Sequence, residues 1–297
     1  MKALFGAPPE NFEPLFVERL AAVLGEGTLL ALSGARHSKM RKLLMPPFHG
    51  HRMRLYGKQI CEIALEQTRG LRPGSVFVAQ ELMHKISLQA IVRIVFGVTG
   101  AERVARTEKL IGAYRQAVAR AVLPMIVPWL RRNFWGFGPW ARLQRAIFAL
   151  RAMIDEEIAL RRADSVERTD ILSMLLAARD EDGAALSEHE IFDQMVTLLF
   201  AGHSTTAMSL VWALYRLQKE PEALSRLQAE LAQLGADAEP EALAKAPYLE
   251  AVCNETLRIY PAASAVARKL AVPFQIAGCA LPAESGVIVN ILWAHYD

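Results

Sequence analysis

The segment Ala201-Gly202-His203-Ser204-Thr205-Thr206 interrupts a long apolar stretch with a glycine and a run of hydroxyls. A glycine inside a helix costs about 1 kcal/mol relative to alanine. Thr205 stands three residues after Gly202, so the two share a helix face. A threonine there donates to a carbonyl of the preceding turn and can bend the helix. Removing one side chain and adding a hydroxyl beside the gap cuts a small polar notch into an apolar wall. Such a notch can hold dioxygen and a water next to a flat cofactor. The same glycine also permits close packing against another helix, and on sequence physics alone that is the commoner reason for such an irregularity. A third reading takes Gly202-His203-Ser204 after Met195–Phe200 as a nucleophile elbow, with Ser204 exposed where a strand turns into a helix. That motif needs glycine two residues after the serine, where Thr206 stands, and the only later histidine is His295. A serine hydrolase with Ser204 as nucleophile is therefore the lesser alternative.

Two further pairs carry charge at helical spacing. Glu255 and Arg258, at i and i+3, form an ion pair worth about 0.2–0.5 kcal/mol if exposed. The apolar neighbours Tyr248, Leu249 and Val252 predict a partly buried pair, which would need a further hydrogen-bonding partner to survive desolvation. His37 and Arg41, at i and i+4, share one face ahead of Pro46-Pro47-Phe48. Both donate to anionic groups, the guanidinium in a bidentate manner. Without the other motifs this pair reads as a solvated basic helix face.

Together these segments resemble the haem-thiolate monooxygenases, the cytochrome P-450 superfamily. The similarity is most specific over Asn254-Glu255-Thr256-Leu257-Arg258-Ile259-Tyr260-Pro261. It runs from the helix at 38–45 to the strand near Ile291. The resemblance implies a mainly α fold with minor β, with 1–297 as a single partial haem-monooxygenase domain, truncated at its C-terminus and at its N-terminus. Segments 101–163 would build a substrate roof. His37, Arg41 and Arg268 would hold haem propionates, and Ala201 would lie against the haem. Gly202, Ser204 and Thr205 would frame the oxygen site, and Glu255 with Arg258 would stabilise the haem-side core. Lys269 is left as a surface charge.

The implied activity inserts one oxygen atom from O2 into an apolar organic substrate, with electrons from a ferredoxin or flavin reductase. Two departures qualify it. The position before Thr205, usually acidic in the family, is Ser204, which predicts slower or differently routed proton delivery. The family's axial thiolate lies in a Phe-x-x-Gly-x-x-x-Cys-x-Gly loop, and Cys61, Cys253 and Cys279 all lack that context. The expectation is a haem protein whose own chain supplies no metal ligand and is inactive alone, with Cys253 a small core residue. The contrasting alternative is a haem-free helical interaction module or pseudoenzyme derived from such an enzyme.

Composition agrees with a globular chain: 53% of residues are hydrophobic and 22% charged. A net charge of +3 with dispersed basic residues argues against nucleic acid as a partner. Three scattered cysteines exclude a disulfide framework or a zinc site and suit a reducing compartment. With no signal architecture and no uninterrupted apolar run of about 18 residues, the expected location is the cytoplasm.

The positioning elements are mostly helical by periodicity. Helices are predicted over 10–24, 38–45, 51–70, 79–96, 101–123, 139–163, 169–179, about 187–219, from Pro221, and over 248–259. Ser187 and Glu190 form a capping box that opens the longest of them. Strands are predicted at 75–78, 266–276 and 287–291. The segment 121–140 is apolar and irregular, with Trp129, Trp135 and Trp140 near Arg131 and Arg132. It fits peripheral contact with a membrane interface, an entrance for an apolar substrate, or a buried connection between roof helices.

Overall fold

The computed structural model describes residues 2–132, 136–164, 166, 168–276 and 278–296. In chain order the elements are α1 (Lys2–Phe5), β1 (Phe12–Glu13), α2 (Val17–Leu24), α3 (Gly34–Leu44), α4 (His51–Thr68), α5 (Ala79–Ala90), α6 (Ala101–Arg120) and α7 (Val122–Ile126). They continue with α8 (Pro139–Ala163), α9 (Ile171–Ala177), α10 (Glu188–Lys219), α11 (Pro221–Leu234), α12 (Pro240–Ala244), α13 (Pro247–Ile259), β2 (Ala265–Leu270), β3 (Phe274–Ile276), β4 (Cys279–Leu281), β5 (Gly286–Asn290) and α14 (Ile291–Tyr296). The mainly helical architecture with minor sheet agrees with the sequence reading.

Local chemistry explains the principal boundaries. Ser187 and Glu190 close the expected box: the Glu190 amide donates to Ser187 Oγ (3.2 Å), and the Ser187 amide donates to Glu190 Oε2 (2.9 Å). Pro139, Pro221 and Pro247 occupy first-turn positions, where a missing amide proton costs nothing. After α5 the chain winds into a π-helical turn, Ile91–Val95, and leaves it at Gly97 with φ +63°. A Cβ there would press on Asp170 and Arg161, so glycine is needed for space as well as for angle.

The expectations fail in three places. Residues 10–24 are not one helix; Phe12–Glu13 pair with Leu270 and Lys269 as a strand, and helix begins only at Val17. Residues 75–78 form no strand, and Val76 is fully exposed. The stretch 266–276 is two strands, β2 and β3, which join different sheets, β1-β2-β5 and β3-β4. Trp135 lies outside the described residues.

The chain divides into two compact units, with the division falling inside α10. One unit comprises 14–47 and 91–200. Its centre is the packed pair α6 and α8. Arg103 pairs with Glu157 and Arg106 with Glu156, which sets the start of α6 beside the end of α8 and makes the pair antiparallel. Ile111, Leu143, Leu150 and Ile154 are buried in this unit, and the Tyr114 hydroxyl donates to the Val23 carbonyl (3.0 Å). Ile191, Phe192, Met195, Val196 and Leu199 of α10 are also buried.

The other unit comprises 1–13, 48–90 and 201–297. Ile63 of α4, Met83 and Ile86 of α5 and Ala207 of α10 form its buried cluster. Trp212 of α10 stacks on Tyr260 at the end of α13, with ring centroids 4.0 Å apart and planes 8° from parallel. The orphan amides at the α13 N-terminus are capped from α11: Glu230 accepts from Tyr248 N (2.8 Å) and Leu249 N (2.9 Å). By length and composition α10 could cross a bilayer, with a mean hydropathy of 1.2 in its most apolar stretch. Of that stretch, 33% is buried in this structure.

Candidate functional site: a hydroxylated helix face and exposed guanidinium groups

Ala201, Gly202, Ser204 and Thr205 all lie within α10, which stays α-helical from Glu188 to Lys219. Thr205 Oγ1 donates to the Ala201 carbonyl, the expected bond to the preceding turn. Thr205 and Ala201 are exposed, whereas His203 and Ala207 on the other side are buried. The notch thus faces outward from its own unit. Since Ser204 sits in mid-helix with no strand before it, the nucleophile-elbow geometry is absent. His295, its only downstream histidine, instead directs Nδ1 at the Arg258 carbonyl (2.8 Å).

Two contacts at this helix escaped the sequence reading. Ser87 Oγ of α5 donates to the His203 carbonyl (2.9 Å), and Ser209 Oγ donates to the Thr205 carbonyl (3.0 Å). The carbonyls of Ala201, His203 and Thr205 therefore each accept a hydroxyl. Ser209 was legible as a serine one turn beyond Thr205. Ser87 had no local signal, because its partner lies on another helix. The His84 ring also lies 5.0 Å from that of His203, tilted by 60°.

Arg268 lies on β2 opposite Val287 of β5 and is exposed. Its Nη1 donates to the Ala267 carbonyl (3.1 Å), and it has no carboxylate partner among the described residues. Its neighbour Lys269 is occupied, with Glu13 at 2.8 Å and Glu284 at 2.9 Å.

Glu255 and Arg258 form a bidentate pair at 2.7 and 2.8 Å. The Arg258 hydrogen bonds hold the Glu255 carboxyl below the usual carboxylate range. The expected partial burial is not found: both side chains are about half exposed. Glu255 borders a cavity lined by Tyr248, Val252 and Ile259 of α13 together with residues of α10 and α11, and keeps about half its surface in solvent. A further partner does exist, since Arg258 Nη1 donates to the His295 carbonyl (2.8 Å). A carbonyl can only accept, so the His295 Nδ1 facing Arg258 O must carry the proton. This reciprocal pair ties the end of α13 to α14.

His37 and Arg41 lie on α3 in the other unit, His37 half-buried and Arg41 exposed. The helix is tied to the turn after α9 by Lys39–Asp180 (2.6 Å) and Lys42–Glu181 (2.8 Å). Hydrogen bonding from Lys39 and from the Ala184 amide holds the Asp180 carboxyl below its ordinary value. Arg41 itself has no ion pair among the described residues. Cys253 is exposed on α13, not in the core as expected. Cys61 lies on α4 and Cys279 at the start of β4.

A family model for cytochrome P450 matches residues 3–297. The chain belongs to the cytochrome P450 family. It is 38% identical over 298 residues to cytochrome P450 135B1 of Mycobacterium tuberculosis, covering 99% of this chain and 61% of that protein. Cytochrome P450 135A1 of the same species is 34% identical over 302 residues, covering 99% and 63%. This P450 chain thus spans about three fifths of the curated relatives it matches. Among solved structures, a retinoic acid-bound cyanobacterial CYP120A1 superposes with a TM-score of 0.84 at 24% identity, over 100% of this chain and 66% of that one. A cytochrome P450, CYP102L1, gives 0.80 at 24% identity, over 99% and 67%. At that identity the structures establish the P450 fold, and the family carries haem as its cofactor.

Proposed function

We propose that this chain is the haem-cradling part of a monooxygenase that inserts one oxygen atom of O2 into an apolar organic substrate. The observation that carries this reading is the outward face of α10 at Ala201 and Thr205, small and hydroxylated on a helix whose other side is packed. A flat apolar group can approach a helix closely only where side chains are this short. Arg268 and Arg41, each exposed and without a carboxylate partner among the described residues, have the donor chemistry that ionised propionates require. On these grounds the residues fit haem. When bound and ligated by a thiolate, haem supplies the capacity to cleave the O–O bond.

The protein residues have separate tasks in this reading. Arg268 would bind and orient a propionate within its own unit, and the family resemblance gives Arg41 and His37 of the other unit the same task. Thr205 directs its proton to the Ala201 carbonyl, so its oxygen lone pairs are free to accept from a water on the exposed side. Ser204 passes a proton but cannot store one as a carboxylate would. The Glu255–Arg258–His295 ties hold α13 and α14 together. Cys61, Cys253 and Cys279 each lie in a regular element and lack the family's ligand-loop context, so none is assigned as the axial ligand, and the chain by itself is assigned no turnover. Its partners in turnover would be an electron-donating ferredoxin or flavin reductase and a hydrophobic small molecule, in a cytoplasmic setting.

Titration of the chain with haemin tests this. One equivalent should produce a saturable Soret band at low micromolar concentration. Weak, unsaturable absorbance would instead favour a haem-free helical interaction module.

A further inference from the structure

From His203 onward the packed face of α10 is a single stripe at helical spacing. His203 and Ala207 are buried, and Val211, one turn on, packs with Ala207 against Ile63, Met83 and Ile86. Of the three stripe residues only His203 is polar, and α5 meets it at two points. The ring of His84 lies 5.0 Å from that of His203. Ser87, only 5% exposed, donates its hydroxyl to the His203 carbonyl at 2.9 Å. His84 and Ser87 stand at i and i+3, on one face of α5. That helix is in turn tied to α4, where Gln67 Nε2 donates to Gln89 Oε1 (2.9 Å).

The open side of α10 carries the opposing bonds. Thr205 donates to the Ala201 carbonyl and Ser209 to the Thr205 carbonyl. Residues advance by about 100° around a helix, so the His203 carbonyl lies across the axis from both of these. A hydroxyl bonded to a ladder carbonyl draws it outward and bends the helix. Two such bonds on one side, beside a glycine that has no side chain to pack, make this stretch the easiest part of α10 to bend or roll. Ser87 opposes them from the other side. A single contact would set the distance between the helices and leave the roll free. A ring contact and a carbonyl contact on the same residue fix both.

We infer that Ser87 and His84 are positioning residues for the Thr205 hydroxyl, acting through His203 and touching neither substrate nor cofactor themselves. This rests on the reading of Thr205 as part of the oxygen site. A helix side chain stands about 5 Å from the axis, so a roll of about 10° carries Thr205 Oγ1 roughly 1 Å. A displacement of about 1 Å at a reacting centre costs about a hundredfold in rate. A serine 116 residues earlier in the chain than His203 thus holds the hydroxylated notch in register from its closed side.

The haem-free chain tests the two-point hold directly. Ser87→Ala should speed amide hydrogen exchange across 203–209 about tenfold, the equivalent of one lost buried hydrogen bond, and leave α6 and α8 as in wild type. The Thr205 methyl NMR signal should shift with it. Adding Ser209→Ala to Ser87→Ala removes an opposing hydroxyl and should restore much of the protection, which a plain packing defect would not allow. Ser87→Cys, close in volume and a weak donor, should fall between wild type and Ser87→Ala. His84→Leu should resemble Ser87→Ala. With haemin bound, Ser87→Ala should keep its affinity within about twofold, because Arg268 lies on β2, while the visible spectrum of the ferric complex shifts. Unaltered exchange and Thr205 signal, an equal rise in α6 and α8, or haemin bound with an unshifted spectrum overturns the inference. A wild-type chain that binds no haemin would instead defeat the function proposed above, and exchange in the apoprotein would still decide whether Ser87 holds α10.

Discussion

Gly27 and Asp193 lie 166 residues apart, and the Gly27 amide donates to Asp193 Oδ2 at 2.7 Å. Around that bond the α10 side chains close over the loop after α2. Gln194 Nε2 donates to the Gly27 carbonyl (2.5 Å), Gln194 Oε1 accepts from Leu29 N (3.2 Å), and the Thr28 and Thr197 hydroxyls share a bond of 2.6 Å. The Asp193 side chain is wholly buried. The first half of α10 is therefore positioned by a polar lock to a glycine loop, not by apolar packing alone.

That lock makes Gly25 intolerant of a side chain. Its φ of +95° and ψ of 157° belong to a region essentially restricted to glycine, and a Cβ would overlap the Asp193 carboxylate. Strain of this kind costs about 1–3 kcal/mol before the clash is counted. Gly25→Ala should lower stability by at least about 2 kcal/mol, read as a fall in urea midpoint at constant m-value. An unchanged midpoint would refute the lock.

Asp193 also gives a pH dependence with a definite sign. Burial raises its carboxyl pKa, against the opposing effects of the Gly27 amide, His189 and Arg151 and with that of Glu26. A carboxyl whose folded pKa lies above its unfolded value of about 4 favours folding while protonated and penalises it once ionised. The favourable contribution is complete below the unfolded pKa and is lost as pH rises through the folded one. Asp193→Asn keeps an acceptor for Gly27 and removes the ionisation. The variant should gain stability relative to wild type at pH 8, and the gain should shrink steadily on acidification. Parallel stability–pH curves would contradict it.

These contacts mark where the sequence was legible. The capping box at Ser187, the first-turn prolines and the limits of α8 were readable because each depends on residues within one turn. The Thr205 bond to Ala201 was readable for the same reason. Phe12–Glu13 was not, because a two-residue strand is defined by its partners Leu270 and Lys269, not by its own periodicity. Residues 75–78 have strand-forming side chains but acquire no partner. The exposure of Glu255, Arg258 and Cys253 was misread because apolar residues on α13 were taken to face the same way as their neighbours. Ser87 and Gly27 were invisible for want of any local signal.

Arg161 should be among the least replaceable charges. It is buried with Glu157 (2.8 Å) and Asp170 (3.2 Å) and donates to the Phe96 carbonyl (2.7 Å) and Ser173 Oγ (3.0 Å). Arg161→Met removes the guanidinium from buried Asp170 and leaves Glu157 only Arg103, and breaking such a buried pair costs about 3–5 kcal/mol. Its neighbour Arg162 pairs with Glu188 in the open. Arg162→Met should cost less than about 1 kcal/mol. Chemical denaturation of the two variants side by side decides it, and equal losses would be inconsistent with the buried network.

Arg268 separates the haem reading from a structural role. Among the described residues it bonds to the adjoining Ala267 carbonyl and to no carboxylate, so its loss should not disturb β2. One charge-assisted hydrogen bond contributes about 1.5–3 kcal/mol. Arg268→Ala should therefore weaken haemin binding about tenfold or more while leaving the apoprotein melting temperature unchanged. Lys269→Ala should do the reverse, because Lys269 joins Glu13 of β1 to Glu284. If both variants bind haemin as wild type does, Arg268 is not a propionate contact.

Ser204 and Thr205 provide the last discrimination. The Thr205 proton is committed to the Ala201 carbonyl, so protons moving along this face must be supplied by a neighbour or by water. Ser204, half-buried beside it, relays a proton only while gaining one at the same time, whereas a carboxylate can hold it between steps. In a longer protein that joins this sequence to a ligating cysteine, Ser204→Asp should raise the share of consumed electrons recovered in product. Thr205→Ala should lower that share, because it removes the lone pairs that position water. The readout is product formed per electron donor oxidised, with peroxide measured in parallel. Coupling unchanged in Ser204→Asp would exclude this position from proton delivery and leave the notch a packing feature of α10.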